Sequence, residues 1–443
     1  MCATEPSGGD TAPSRRTGCQ TVGVRMRRQP LFYGWWIVAI SFIVNAVAWS
    51  TRASFAVIYA AMLHDLGWSR SEAVLGYALS WLLLVGFGPL SGWLFDRLGP
   101  RVVVAAGGAA LALGLALTSR VHAPWQYYLT YGPLVAFGIG ATLSPSSALL
   151  SRWFVHRRGT ALGIMAAGSS LGTVVSLPVV AALVTAAGWR AALVWHSLVV
   201  LLVLVPLPAL FYRSDPQALG LVPDGTSGIP PSAVRITSER AWRVRDAVHT
   251  PAFWAAFLML LLGVVAFQVL TTHQVAYAAD QGIDPAQAAL IFGLAGIYQL
   301  VGNLLGGALS DWWGRQRIFL TGSLVGLVAV VALASVRGPQ DLWKLHLFAL
   351  ALGIGFGARI ALLSAIPADA FGGPRFGLIL GLLGAGSGLG GFIGPLLGGL
   401  IFDLSGSYLV AFVAAGGAVM LSGVAAWFAR PPARIAAEQP TPA

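Results

Sequence analysis

The sequence predicts an all-α membrane protein: twelve transmembrane helices in two pseudo-symmetric six-helix bundles. Composition, the length of the apolar runs and an internal repeat carry that expectation. Hydrophobic residues make up 57% of the 443 residues and charged residues only 10%, against about 25% charged in soluble domains. A soluble globule of this length would have too little charge to cover its surface. The apolar runs last 20 residues or more and are rich in Leu, Ala, Gly and Val. That pattern suits helices crossing a bilayer and not the short alternating strands of a β-barrel.

Taken in order, residues 1–32 read as a polar tail containing Cys2 and Cys19. The tail lacks the apolar core and cleavage site of a signal peptide, and Met26, before Arg27 and Arg28, is an alternative start. Two tail cysteines build neither a disulfide framework nor a thiolate metal site. The first bundle, 33–212, holds spans 1 to 6 at 33–63, 72–95, 101–120, 124–151, 159–187 and 189–212. A polar connector, 213–250, follows, with Arg213, Arg235, Arg240, Arg243 and Arg245 among Pro216, Pro223, Pro230 and Pro231. The second bundle, 251–429, holds spans 7 to 12 at 252–278, 286–308, 317–336, 343–366, 375–402 and 407–429, and a tail, 430–443, closes the chain.

The net charge of +11 is read as topology and not as a nucleic-acid footprint. Arg27, Arg28, Arg97, Arg101, Arg152, Arg157, Arg158, Arg315, Arg317, Arg375 and Arg430 fall on the side of the N-terminus. Arg70, Arg120, Arg190, Arg337 and Lys344 fall on the other. Positive charge stays inside, so both termini are expected in the cytoplasm of a cell with this protein in its inner membrane.

The halves repeat. Gly92-Trp-Leu-Phe-Asp96 returns as Gly307-Ala-Leu-Ser-Asp311 at an offset of 215, which also carries Gly138 onto Gly353 and Gly67 onto Gly282. Ala167-Gly-Ser-Ser-Leu-Gly172 returns as Ala385-Gly-Ser-Gly-Leu-Gly390 at an offset of 218, as Gly188 does at Gly406. A collinear series of this kind is a duplication, and related halves around a cavity are a transporter architecture.

Gly92-x-x-x-Asp96-Arg97-x-Gly99-x-Arg101 resembles the loop 2–3 signature of the major facilitator superfamily, with Gly307, Asp311, Gly314 and Arg317 as its degenerate second copy. The resemblance implies alternating access by rocking of the two bundles. It also implies that Asp96 faces the start of span 11 near Gly373 to Phe376, and that Asp311 faces span 5 near Arg158 to Thr160. A carboxylate at a helix N-terminus is favoured by the helix dipole, and Gly92 admits a close neighbour. Further segments resemble the bacterial monocarboxylate porters near the oxalate–formate antiporters: Tyr33-Gly34-Trp35-Trp36, Leu66-Gly67-Trp68-Ser69-Arg70, Arg157-Arg158-Gly159-Thr160-Ala161-Leu162-Gly163 and Leu219-Gly220-Leu221-Val222-Pro223-Asp224-Gly225. Carriers of that kind place a binding arginine in span 8 and, for oxalate, a lysine in span 11. This chain has neither.

Other motifs are imitations. Gly386-x-Gly388-x-x-Gly391 and Gly168-x-Ser170-x-Gly172 lie inside apolar helices, where small residues serve packing. Lys344 follows Trp343 and writes no P-loop, so the energy for transport comes from a gradient or from exchange. No catalytic residues, cofactor or metal are expected.

Charges at membrane depth point to function. Arg359 lies about 16 residues, roughly 24 Å, from Trp343 in span 10. Arg52 lies about as far past Trp36 in span 1, near the outer third. No Asp or Glu sits mid-span, while Asp369 and Asp403 fall at helix ends. A guanidinium stays protonated and, lacking a carboxylate partner, suits an anion, so Arg359 is expected as the principal anchor. His273 in span 7 is the expected proton carrier. Asn45, Tyr131, Ser144, Gln268, Tyr298, Gln299 and Asn303 complete the candidate lining, and Trp81 reads as packing or interface belt. The expected function is secondary transport of small organic anions, monocarboxylates first, by proton symport or anion exchange, from a monomer in the bilayer. Export of a hydrophobic compound and a non-transporting membrane sensor are the alternatives.

Overall fold

A chain in hydrocarbon must pair each backbone N–H within its own segment, and the regular structure of the described residues is accordingly helical. The computed structural model describes residues 32–154, 158–222, 242–360, 362–371 and 376–430. Its α-helices are α1 (Tyr33–Ala53), α2 (Phe55–Leu66), α3 (Arg70–Thr118), α4 (Pro124–Trp153), α5 (Arg158–Leu204), α6 (Pro206–Phe211) and α7 (Val244–Val248) in the first part of the chain. The second part adds α8 (Pro251–Asp280), α9 (Pro285–Trp313), α10 (Arg315–Ala334), α11 (Leu342–Ile360), α12 (Leu362–Phe371), α13 (Phe376–Ser405) and α14 (Leu409–Phe428).

Ten helical stretches among the described residues are long and apolar enough to cross a membrane. Two are too long for one crossing. The 49 residues of α3 extend about 74 Å at 1.5 Å per residue, more than twice the roughly 30 Å hydrocarbon core. Each has a non-helical glycine inside: Gly99 at φ 78°, ψ 166° in α3, and Gly188 at φ 80°, ψ 164° in α5. Positive φ is a conformation glycine adopts without a Cβ clash. Divided there, the ten stretches become twelve segments, the number the apolar runs predict.

The turns carry the duplication in their backbones. Gly67 and Gly282 have φ of 64° and 77°, Gly99 and Gly314 of 78° and 89°, and Gly188 and Gly406 of 80° and 68°. These are the pairs, or the offsets, at which the two halves of the sequence match.

Span 1 is interrupted at Ser54, between α1 and α2. Ser50 Oγ donates to the Val47 carbonyl at 2.7 Å, and Ser54 Oγ to the Ser50 carbonyl at 2.7 Å. Hydroxyls bonding back to carbonyls bend helices. His196 of α5 spans the bend, its Nε2 donating to Ser50 Oγ at 2.9 Å.

Glycines set the helix spacing. Gly302 and Gly306 of α9 lie against the backbone of Ile354 and Ala358, and Gly353 and Gly357 of α11 against that of α9. Gly355 faces α10 at Gly322 and Gly326. In α13, Gly386 and Gly390 seat α8, whereas Gly388 and Gly391 seat Val85 and Trp81 of α3. Gly168 and Gly172 lie on the α1 backbone at Phe42 and Ala46. Both glycine motifs are therefore packing faces, as read from the sequence. Gly357→Leu should force α9 and α11 apart and lower stability by about 1–3 kcal/mol; an unchanged melting temperature in detergent would refute that contact.

Candidate functional site

Between the bundles lies a cavity of about 330 Å³. Its walls come from α1 and α2 (Arg52, Phe55), α3 (Tyr77, Trp81), α8 (Phe267, Gln268), α9 (Phe292, Gln299) and α11 (Phe356, Arg359). No acidic residue lines it among the described residues.

Arg52 is 5% exposed, and its Nε, Nη1 and Nη2 are buried without a hydrogen-bond partner. Its guanidinium lies 3.9 Å from the centroid of the Trp81 ring and 5.9 Å from that of Tyr77. Trp81 Nε1 is a second buried donor without a partner. Gln268 Nε2 donates to the Tyr77 hydroxyl at 3.0 Å, joining the two bundles and leaving the Tyr77 proton for another acceptor. The cluster consists of donors facing an apolar space.

Arg359 is held differently. Its Nη2 donates to Ser422 Oγ at 2.7 Å, and Ser422 Oγ donates on to the Met259 carbonyl at 2.7 Å. The guanidinium lies 4.5 Å from the Phe319 ring centroid and 4.9 Å from that of Phe356. Nε and Nη1 have no partner. Gly263 and Gly322 open the slot that lets the side chain reach α14. The expected principal anchor is thus partly committed to the core of its own bundle, and the unencumbered cation is Arg52. The slot is a tertiary feature that no local pattern in the sequence reveals.

The remaining candidates divide. Gln268 and Gln299 line the cavity. Tyr131 is buried one layer behind, its ring 5.8 Å from Phe55 and 6.4 Å from Tyr77. Asn45 Nδ2 donates to the Met165 carbonyl at 2.8 Å, tying α1 to α5. Ser144 is exposed. Tyr298 and Asn303 lie where the α11 glycines press on α9, and Asn45, Ser144, Tyr298 and Asn303 are not in the cavity wall. Trp81, read as packing or belt, belongs to that wall, as do Tyr77 and Phe55. An aromatic at helical spacing carries no sign of which face meets a cavity.

His273 also lies outside the wall. Its Nε2 donates to the Pro395 carbonyl at 2.8 Å, leaving Nδ1 to accept from the Tyr59 hydroxyl at 3.3 Å. It belongs to a seal at the Arg70 end of the molecule. There Arg70 Nη2 pairs with both Asp280 oxygens at 2.7 Å. Asp403 accepts from the backbone N–H groups of Arg70 and Ser71, each at 2.9 Å. Asp403, read as a boundary residue, therefore caps the α3 N-terminus from the other bundle.

The opposite end is parted. Gly92, Gly307, Gly381 and Gly384 have nothing within 4 Å of where a Cβ would sit, so Gly92 admits no close neighbour in this conformation. Asp96 pairs with Arg152 of its own bundle at 3.0 Å, and Arg97 lies 4.2 Å from the Trp93 ring. Arg101 Nε donates to the Tyr212 carbonyl. Gly314 caps α10 at φ 89°, and Arg317 is exposed. Of the expected Asp96 partner, Gly373 to Phe376, residues 373–375 and the Phe376 side chain lie outside the described residues, as do the side chains of Asp311, Arg158 and Thr160.

Two repeated bundles, sealed at one end, parted at the other and enclosing a cationic cavity, define a secondary transporter. The chain belongs to the Major Facilitator Superfamily, whose family model matches residues 38–358 and 273–443. It is 30% identical over 400 residues to monocarboxylate transporter 13 of Rattus norvegicus, covering 88% of this chain and 87% of that one. It is 27% identical over 407 residues to monocarboxylate transporter 11 of Homo sapiens, covering 88% and 81%. These relatives are mammalian, where the sequence motifs resemble a bacterial branch. In fold it is similar to a bacterial homologue of the human lysosomal transporter Spinster, in an inward-facing and unoccupied conformation. That match has a TM-score of 0.68 at 16% identity and covers 90% of this chain and 97% of that one. The nucleoside transporter NupG matches with a TM-score of 0.69 at 13% identity, covering 89% and 98%.

Ser422→Ala should strand the Arg359 donor and lower stability by about 1–3 kcal/mol. A melting temperature equal to wild type would show that the bond carries no weight.

Proposed function

We propose that the chain carries small organic anions, monocarboxylates first, by alternating access, with Arg52 as the anion anchor. One observation carries the reading: a buried guanidinium with three unpartnered nitrogens faces a cavity with no acidic residue in its described lining. A desolvated charge without a counter-ion is unfavourable, and a substrate carboxylate would supply both the charge and the acceptors. The names of the relatives support the same substrate class.

Trp81 Nε1 and the Tyr77 hydroxyl would share the carboxylate with Arg52. Gln268 positions Tyr77, Gln299 meets the substrate from α9, and Arg359 contributes field and its two free donors. Asn45, Tyr131, Ser144, Tyr298 and Asn303 act, where they act, through helix packing. The gating role stays with the paired loops: Gly92, Asp96, Arg97, Gly99 and Arg101, and Gly307, Asp311, Gly314 and Arg317. The basic loops support cytoplasmic termini, with the protein acting as a monomer in a cell's inner membrane. The parted end then faces the cytoplasm, and the state is inward-facing.

No carboxylate or histidine lies in the described cavity wall. Transport therefore runs as anion exchange, or as symport in which the proton rides on the substrate's own carboxyl. His273→Gln should loosen the Arg70 end yet leave the pH profile of uptake unshifted; a flattened profile would return the proton to His273.

The anchor is tested on purified protein by titration with a panel of monocarboxylates. A planar guanidinium offers two parallel N–H bonds that an ammonium cannot reproduce. Arg52→Lys should weaken binding about tenfold or more, and Arg52→Gln by about two orders of magnitude or more, with the melting temperature of neither free protein lowered. Unchanged affinity in Arg52→Gln would sink the assignment.

A further inference from the structure

The cavity wall combines guanidinium donors with aromatic rings. Arg52 lies over the Trp81 ring at 3.9 Å. Its N–H groups have no hydrogen-bond partner, and Trp81 Nε1 is a further unpartnered donor. The wall also carries Phe267, Phe292 and Phe356, and Arg359 lies 4.9 Å from the Phe356 ring. Phe267 and Phe356 sit 5.1 Å apart with planes inclined at 49°, and Phe55 and Tyr77 stack at 4.1 Å with planes 3° apart. These are surfaces on which a further ring can lie, edge-on or offset.

Volume points the same way. The cavity of about 330 Å³ equals the liquid share of about eleven water molecules. A three-carbon hydroxy acid held by Arg52 would leave water against the phenyl faces. A flat ring would displace that water and keep one group, the carboxylate, for the donors.

We infer that the transported anion is an aromatic monocarboxylate, an aryl or indolyl ring joined to its carboxylate by a short carbon link. The inference rests on the anion reading above and narrows it. Arg52 and Trp81 Nε1 hold the carboxylate; Phe267, Phe292 and Phe356 hold the ring.

The test titrates the full chain, purified in detergent, with phenylacetate, indole-3-acetate, cyclohexylacetate, lactate and phenylacetamide. Phenylacetate and indole-3-acetate are expected to bind at least tenfold tighter than lactate and at least threefold tighter than cyclohexylacetate, with phenylacetamide weaker than all the ring acids. The double substitution of Phe267→Leu and Phe292→Leu keeps the wall apolar and should erase the preference for phenylacetate over cyclohexylacetate. Cyclohexylacetate equal to phenylacetate in the unsubstituted protein overturns the aromatic class. Lactate as tight as phenylacetate does so too, and leaves the anchor standing if Arg52→Gln abolishes lactate binding. Phenylacetamide equal to phenylacetate overturns the anion reading and this inference with it, as does binding of none of the acids.

Discussion

The arrangement of the cavity turns on one charge left without a counter-ion. The interior of a bilayer protein penalises an isolated guanidinium by several kcal/mol after relaxation. Stacking on an indole returns about 2 kcal/mol when both are desolvated, and Trp81 supplies that contact to Arg52. The balance is left for a ligand. The support is itself conditional, because Trp81 packs on Gly391 and Val85 on Gly388, both of α13 in the other bundle. The proposed anion site is therefore assembled where the two halves meet. A ligand moves a conformational equilibrium only through different affinities for its states, and a site built across the moving interface provides that difference.

The Arg70 end is closed by the kind of interaction that the loop motif was expected to make at the other end. A carboxylate from one half caps a helix N-terminus of the other, but the pair is Asp403 with the first N–H groups of α3, joined by Arg70 with Asp280. Helix dipoles favour such carboxylates by up to about 2 kcal/mol when partly buried, and the contact breaks cleanly when the bundles part. Asp96, with its side chain 71% exposed, meanwhile holds Arg152 within its own half. On the proposed gating role, a carboxylate that pairs within its half in this state would be available to the opposite half in the other.

The fold was legible because its determinants are periodic and local. Long apolar runs, glycines at turns and basic loops are written residue by residue, and even the positive φ of Gly99 and Gly188 falls where the repeat and the span boundaries place a turn. Arg52 and Gln268 were legible as wall residues because a polar group at membrane depth needs a reason to be there. What the sequence hid was orientation. Whether Arg359 reaches the cavity or Ser422 depends on the absence of side chains at Gly263 and Gly322, on two other helices. Whether Trp81 faces lipid or substrate depends on Gly391, more than 300 residues away. His196, which bonds Ser50 beside the bend in span 1, was missed because a histidine in an apolar span shows no partner in its own neighbourhood.

The duplication relates unlike residues across the cavity. At the offset of 215 that relates the halves, Arg52 corresponds to Phe267 and Arg359 to Ser144. Each half thus keeps one guanidinium, on a helix whose counterpart has lost or never gained it. The first exchange puts a cation and a phenyl ring at equivalent depths on facing bundles, and both line the cavity. The second places Arg359 in the wall while Ser144 is exposed outside it. Divergence at these two pairs makes the two walls of the cavity unlike, which suits the asymmetric anion proposed as its substrate.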